Sequence, residues 1–356
     1  MNERVLISGA FEDAQYRFGF FEQIACAFER GGAAVERFNA FGFLTAPSML
    51  AKTFERLVTG PGRLLGIDKQ RMRTALPWTP EGRRERALLA AVRRFRPDTL
   101  IVITGFRYRA RTLQRCRALG VGTLVGWYVE GPLAAGVPEA ESLLYDRYYC
   151  IHRELAPAFQ SRIGWLPSYA LDRSSFSRLR FPRAPRQRIV FVGTPSERRV
   201  RFLEALRGLP LELWGPKWGK VATLTELHRG EFIWGKDLNT LYNASAIVLN
   251  IASWDRTLSG MTQRIVEIPA SGAFMLTDDA PEVGALFQRG AEMDVFATPD
   301  ELRQRCEHHL EFAEQRERIA DRGHVRASRL ADFGFAARVL LGLVDAPVPG
   351  ALAGAT

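Results

Sequence analysis

The sequence predicts an α/β protein of two successive domains, each built on a parallel sheet. Three observations carry this reading. Short apolar runs alternate with stretches of helical periodicity, and Gly or Pro marks most of the joins, which is the pattern of βαβ units. The pattern breaks off over residues 171–187, rich in Ser, Arg and Pro, and then starts again. The chain has 356 residues, 47% hydrophobic and 25% charged. That is ordinary globular composition, with length for two domains that each bury a core. The expected division is 1–170, a linker at 171–187, and 188–330, then a helix over 331–345 and a loose tail over 346–356.

In the first domain Val5–Ser8 is a short apolar run ending at Gly9, a first strand. Phe20–Arg30 has helical spacing and stops at Gly31-Gly32, as helices do. Ala34–Phe38 alternates as a second strand, and 41–80 is irregular, with several Pro and Gly. A helix over 81–95 leads through Arg96-Pro97-Asp98 into a strand at Thr99–Ile103. A helix over 107–119 leads through Gly120 into a strand at Thr123–Trp127. In the second domain Arg188–Val192 is a strand running into Gly193-Thr194-Pro195, and Ser196 is placed to cap a helix reaching Arg207. Strands follow at Leu211–Trp214, Ala246–Asn250 and Ala273–Thr277, with helices at 237–244 and 262–271. Gly272 reads as a helix C-cap. Residues 299–345 are helical and highly charged.

Several classes are excluded. No stretch approaches the ~20 apolar residues of a membrane span. Met1-Asn2-Glu3-Arg4 and its short apolar sequel do not read as a signal peptide. Cys26, Cys116, Cys150 and Cys306 are far apart with no CxxC, so neither a zinc site nor a disulfide framework is expected. The expected location is the cytoplasm. Gly215–Lys220 falls one residue short of a Walker loop. Gly120, Gly122 and Gly126 have the wrong spacing for a dinucleotide fingerprint. His308-His309 reads as a solvated helix face, and His152 as a structural residue. With no Asp-x-Asp, and with Asp278-Asp279 diverging as neighbours on a strand, a metal-free chemistry is expected and no cofactor.

The net charge of +10 lies wholly in the first half: residues 1–180 hold 27 Lys+Arg against 17 Asp+Glu, and the remainder 22 of each. Residues 83–117 alone hold eleven arginines and two acids. Either that half meets something anionic, or the sequence uses Arg as a general surface residue.

Ligands of open α/β sheets sit beyond the carboxyl ends of the strands. In the second domain those ends collect Gly193 and Thr194, then Trp214 and Gly215, then Asn250. The helix beginning near Thr262 follows, carrying Arg264 and Glu267. Gly193 permits close backbone approach, the helix start offers free N–H groups for a diphosphate, Arg264 a fork for phosphate oxygens, and Glu267 two acceptors for a ribose diol. Each also has a plain structural reading: Arg264 pairing with Glu267 at i+3, Asn250 as a turn residue, Trp214 as core.

The stretch from Phe191 to about Val344 resembles the C-terminal domain of CgeB-like (spore maturation protein) glycosyltransferases. The carrying residues are Phe191–Thr194, Leu213–Gly215, Asp237–Asn250 with its Tyr242 and Asn243, Gln263–Thr277 with Arg264, Glu267 and Gly272, and Leu286–Glu292. The first domain matches more weakly, through Pro97-Asp98 and Trp127–Pro132. The resemblance implies a GT-B fold, two Rossmann-like domains facing a cleft, with a UDP-, GDP- or dTDP-linked sugar on the second, the acceptor on the first, and the late helix at 331–345 packing back on the first domain. It implies that Glu267 is the ribose ligand, the second acid of an E-x7-E motif whose first position is Ser259. That departure leaves open any role for an acid there, and with it retention or inversion. For an inverting enzyme the candidate bases are Asp13 and Glu130. The expected activity is sugar transfer to an acceptor hydroxyl, the diphosphate leaving group stabilised by the helix end and Arg264. A glycan, a lipid-linked saccharide, a natural product or modified DNA fits as acceptor. Residues 41–76, with six basic residues against two acids among large apolar ones, read as an anionic-membrane contact, a lid or a surface insertion. A non-catalytic sugar-nucleotide or glycan-binding protein of the same fold is the rival reading.

Overall fold

The computed structural model describes residues 3–11, 19–43, 79–103, 108–130, 140–152, 163–170, 175–179, 187–253, 260–330 and 332–346. Element numbers below run over these residues. Asp13, Ser259, most of the 41–76 segment and most of the 171–187 segment lie outside them.

The N-terminal lobe is a six-stranded parallel sheet in the order β2-β1-β3-β4-β5-β6. Its strands are β1 (Arg4–Gly9), β2 (Ala34–Asn39), β3 (Thr99–Ile103), β4 (Thr123–Tyr128), β5 (Arg147–Cys150) and β6 (Ile163–Trp165). Helices α1 (Gly19–Arg30), α2 (Pro80–Phe95) and α3 (Ala110–Ala118) flank it. Helix α2 starts where the sequence demands. The Thr79 hydroxyl accepts the Gly82 N–H at 3.1 Å, and Pro80 occupies the first turn, where its missing N–H costs nothing. It ends at Arg96, left-handed at φ 50°, because Pro97 cannot continue a helix.

The C-terminal lobe repeats the plan in the order β12-β11-β10-β7-β8-β9. Its strands are β7 (Ile189–Val192), β8 (Leu211–Trp214), β9 (His228–Gly230), β10 (Ile247–Asn250), β11 (Met275–Asp278) and β12 (Asp294–Phe296). Its helices are α4 (Glu197–Glu204), α5 (Gly235–Asn243), α6 (Arg264–Ala270), α7 (Pro281–Leu286), α8 (Pro299–Glu311) and α9 (Ala313–Ala327). The chain direction across the sheet reverses between β7 and β10, the switch point at which such sheets open a crevice.

Helix α10 (Phe333–Leu341) returns to the N-terminal lobe. Asp332 caps it by accepting the Gly334 N–H at 2.9 Å. Phe333, Val339 and Leu340 join Ile7, Phe21 and Trp127 in one buried cluster, and the Tyr149 hydroxyl donates to the Val339 carbonyl at 3.1 Å. Between the lobes, residues 175–179 are held on α5: Asn243 accepts the Leu179 N–H at 2.8 Å and Asn239 the Ser177 N–H at 3.2 Å.

Two local expectations are corrected. The helix placed at 262–271 begins at Arg264, because the Thr262 carbonyl takes the Ile265 N–H, a turn bond and not an α-helical one. His309 is not solvated. It is buried under Phe274, ring centroids 4.4 Å apart, and bonds the Asp294 carboxylate at 2.8 Å. Helix α8 turns that face to the sheet. Among the described residues, no helix is long and apolar enough to cross a membrane.

Candidate active site

The floor of the crevice is made by two interlocked strand ends. Gly193, after β7, donates its N–H to the Trp214 carbonyl at 2.8 Å, and Gly215, after β8, donates to Gly230 at 2.8 Å. Gly215 has φ 127°, and a Cβ there would stand 2.4 Å from the Gly193 oxygen. Only glycine lets the two loops approach so closely. The Trp218 indole N–H donates to that same oxygen at 2.6 Å. Trp214 is half-buried with its ring against Gly230, and its indole nitrogen is buried without a hydrogen-bond partner among the described residues. A buried unmade hydrogen bond is costly.

Above the floor stands a group of arginines. Ser196 caps α4, accepting the Arg199 N–H at 3.3 Å, so Arg198 and Arg199 fall in the first turn. Arg198 pairs with Asp278 at the end of β11, 3.1 Å away, and Asp278 also takes the Ala252 N–H at 2.5 Å. Asp279 turns the other way, to Arg289 at 2.8 Å. Arg199 is 5% exposed. It donates to the carbonyls of Ile251 and Thr194, both at 2.9 Å, and so ties the loop after β7 to the loop after β10. Burial pushes its guanidinium down to about 9, and the positive charge of Arg264 pushes the same way, with Asp278 opposing. Two guanidinium groups within mutual repulsion, one buried, leave a positive field where an anion would be neutralised.

Asn250 and Thr262 turn out to be a strut. The Thr262 hydroxyl donates to the Asn250 side-chain oxygen Oδ1 at 3.0 Å, and the Asn250 side-chain nitrogen Nδ2 donates to the Thr277 hydroxyl at 3.0 Å. Gln263 accepts the Ala170 N–H at 3.1 Å, reaching across from the segment after β6. These bonds hold the approach to α6, whose first turn is tight: Ile265 bonds back to Thr262 and Val266 to Gln263, both at 3.1 Å. Arg264 and Glu267 lie half-buried on one face of α6. Both bear on the buried Tyr242 hydroxyl: burial pushes that phenol well up, Arg264 lowers it and Glu267 raises it. It stays protonated and able to donate. Gly272, at φ 79°, ends α6 as expected of a C-cap.

The seam between the lobes is lined by His152, Glu130, Tyr169, Gly260 and Glu282. The Glu130 carbonyl can only accept, so His152 Nε2, 3.0 Å away, carries a proton; the Glu130 side chain itself is exposed. Gly260, at φ 113°, lies against the imidazole, and a Cβ there would come within 3.1 Å of the ring. Its N–H is accepted by both oxygens of buried Glu282, at 3.0 and 3.1 Å.

The structure therefore brings Gly193, Thr194, Trp214, Gly215, Asn250, Thr262, Arg264 and Glu267 to the carboxyl-end side of one sheet, with Glu130 across the seam. Arg198, Arg199 and Glu282 join them without having been singled out from the sequence. For the arginines a signal existed: a strand ending in Gly193, then a capping Ser and Arg-Arg in the first helical turn.

Residues 198–340 match the family described as glycosyl transferase-like. The matched stretch is 143 of the 356 residues. It spans α4 to α10, and the arginines, Asn250, Arg264 and Glu267 all fall within it. No curated protein matches the chain. Solved structures match over nearly its whole length. HepE of Anabaena, crystallised with UDP and glucose, is 13% identical with a TM-score of 0.62, covering 96% of this chain and 100% of that one. A glycosyltransferase of Rickettsia africae is 8% identical, TM-score 0.65, covering 96% and 97%. Sucrose-phosphate synthase of Thermosynechococcus elongatus is 10% identical, TM-score 0.65, covering 96% and 98%. The shared architecture is GT-B: two parallel-sheet lobes with a seam between them.

Proposed function

We propose that the protein transfers a sugar from a nucleoside-diphosphate donor held on the C-terminal lobe to an acceptor hydroxyl on the N-terminal lobe, without a metal ion or cofactor. One observation carries the reading: the buried Arg199 guanidinium bridges the loops after β7 and β10 at the switch point, and Arg264 stands at the start of the helix that follows β10, a pair of cations placed for a diphosphate. Arg264 and Arg199 take the phosphate oxygens and neutralise the leaving group, in a site where fixed charges act strongly. The amides at the start of α6 add to this only modestly, because the helix has seven residues. Glu267 takes the ribose diol, with the Tyr242 hydroxyl holding its side of the pocket. Trp214 and Gly215 border the base. Glu130 and Asp13 are the candidate bases for the acceptor. UDP is the favoured nucleotide, since HepE, of like fold, was crystallised with it. The finer kinship is with CgeB-like enzymes, on the residues from Phe191 to Glu292. The enzyme would act in the cytoplasm, on a glycan, a lipid-linked saccharide or another hydroxyl acceptor.

The test is thermal unfolding with UDP, GDP, CDP, ADP and dTDP, on the wild type, Arg264→Ala and Glu267→Ala. A nucleotide at ~100 times its Kd should add ~2.7 kcal/mol of stability. The reading expects one nucleotide to do so in the wild type and in neither variant. Stabilisation by none of the five, or equally in all three proteins, would remove it. EDTA should leave the response unchanged.

A further inference from the structure

Gly260 sits at the seam, two residues before Thr262 and four before Arg264. The run 260–264 is pinned at three points: Gly260 by Glu282, Thr262 by Asn250 at 3.0 Å, and Gln263 by Ala170. The last two pins are neutral. The first is a carboxyl group 3% exposed, and burying such a group is costly unless it is well bonded. Beside it lies Tyr169. Its hydroxyl is buried with no hydrogen-bond partner among the described residues, and burial first and Glu282 second push that phenol well above its ordinary value, keeping it protonated. His152 of the N-terminal lobe closes the other side of Gly260. A polar cluster fed by both lobes thus surrounds one peptide.

On the function proposed above, the transferred sugar must lie between the nucleotide on one lobe and the acceptor on the other, which is this seam. We propose that Glu282 is a positioning residue for that sugar: by holding the Gly260 N–H it fixes the 260–263 turn against His152. Glu282 acts through the turn and need not touch the donor. The nucleotide is held farther along, by Arg199, Arg264 and Glu267. Losing Glu282 therefore separates the sugar's share of binding from the nucleotide's.

The experiment uses the full chain with Glu282→Ala and Glu282→Gln. Hydrogen exchange at the Gly260 amide reads the clamp, and titrations with UDP and UDP-glucose read its consequence. In Glu282→Ala the amide should exchange at least tenfold faster, and UDP-glucose should bind at least tenfold more weakly while UDP stays within threefold. In Glu282→Gln the amide carbonyl still accepts the N–H, so both readouts should return to within threefold of wild type. Unchanged exchange in Glu282→Ala overturns the proposal. So does an equal loss of both ligands, a loss of neither, or a Gln variant that restores nothing. Should the alanine protein not fold, Glu282→Asp, one methylene too short to reach, takes its place. If the wild type binds neither nucleotide, the functional reading falls, and the exchange data alone decide the clamp.

Discussion

Gly215 shows how much one residue of the site is asked to do. Its φ of 127° and its contact with the Gly193 carbonyl together forbid a side chain, so Gly215→Ala should cost about 1–3 kcal/mol in urea unfolding. It should also weaken nucleotide binding, because the strand ends must part. Arg264 should behave in the opposite way. It adds a repulsion that Arg199 feels, and it is half exposed, so solvent screening keeps the effect small. Arg264→Ala should raise stability without ligand by about 0.5 kcal/mol and abolish the response to UDP; a variant that lost stability alone would mean that Arg264 is structural. The glycines and Arg264 were legible in the sequence, because strand-end glycines and an Arg in the first turn of a helix are local signals. The burial of Arg199 was not. It depends on carbonyls at Thr194 and Ile251, the second 52 residues away, and an Arg at a helix start reads as solvated until the fold brings that loop over it. Glu282 is the same case, its partner 22 residues distant.

The elements divide by composition. Strands β1, β3, β4, β7 and β10 are apolar runs bounded by Gly, Pro or Asn, and their periodicity placed them within a residue or so. β6, β9 and β12 have three residues each, β5 four, and carry Gly164, His228-Arg229, Asp294 or Arg147. Such segments are strands only because a neighbour offers a ladder edge. β12 carries a testable consequence. Burial pushes the Asp294 carboxyl up, but the bonds from His309 and the Val295 N–H, with the charge of Arg305, outweigh it and hold the group below its ordinary value of 3.8. A carboxyl lowered in the folded state stabilises above its unfolded value and loses that contribution as pH falls through the folded one. Asp294→Asn should therefore be less stable than wild type at pH 6, with the gap closing below pH ~4, when urea midpoints are followed with pH. A gap independent of pH would assign the loss to shape instead. At α2, Thr79→Ala removes the cap and should cost about 1 kcal/mol, read in the same way.

At the scale of the molecule, the two-lobed plan was legible because the helix–strand rhythm runs twice with a break between, and the return of the last helix only because the resemblance implied it. Nothing in the composition of 333–341 says which lobe receives it; the choice follows from an apolar face that packs against α1 and joins the core over the first sheet. A chain ending at residue 332 should expose Phe21, Ile24 and Trp127. Burying Phe333, Val339 and Leu340 contributes about 1.5–3 kcal/mol each, against a total stability of ~5–15 kcal/mol. Limited proteolysis should then cut the N-terminal lobe first and leave the C-terminal lobe resistant. The helix also sets an order of events during synthesis. The N-terminal lobe leaves the ribosome first, yet its core is unfinished until residues 333–341 emerge, roughly 10–30 s later at ordinary elongation rates. In that interval the C-terminal lobe has all of its own strands and can fold, so the lobe made first is the one completed last.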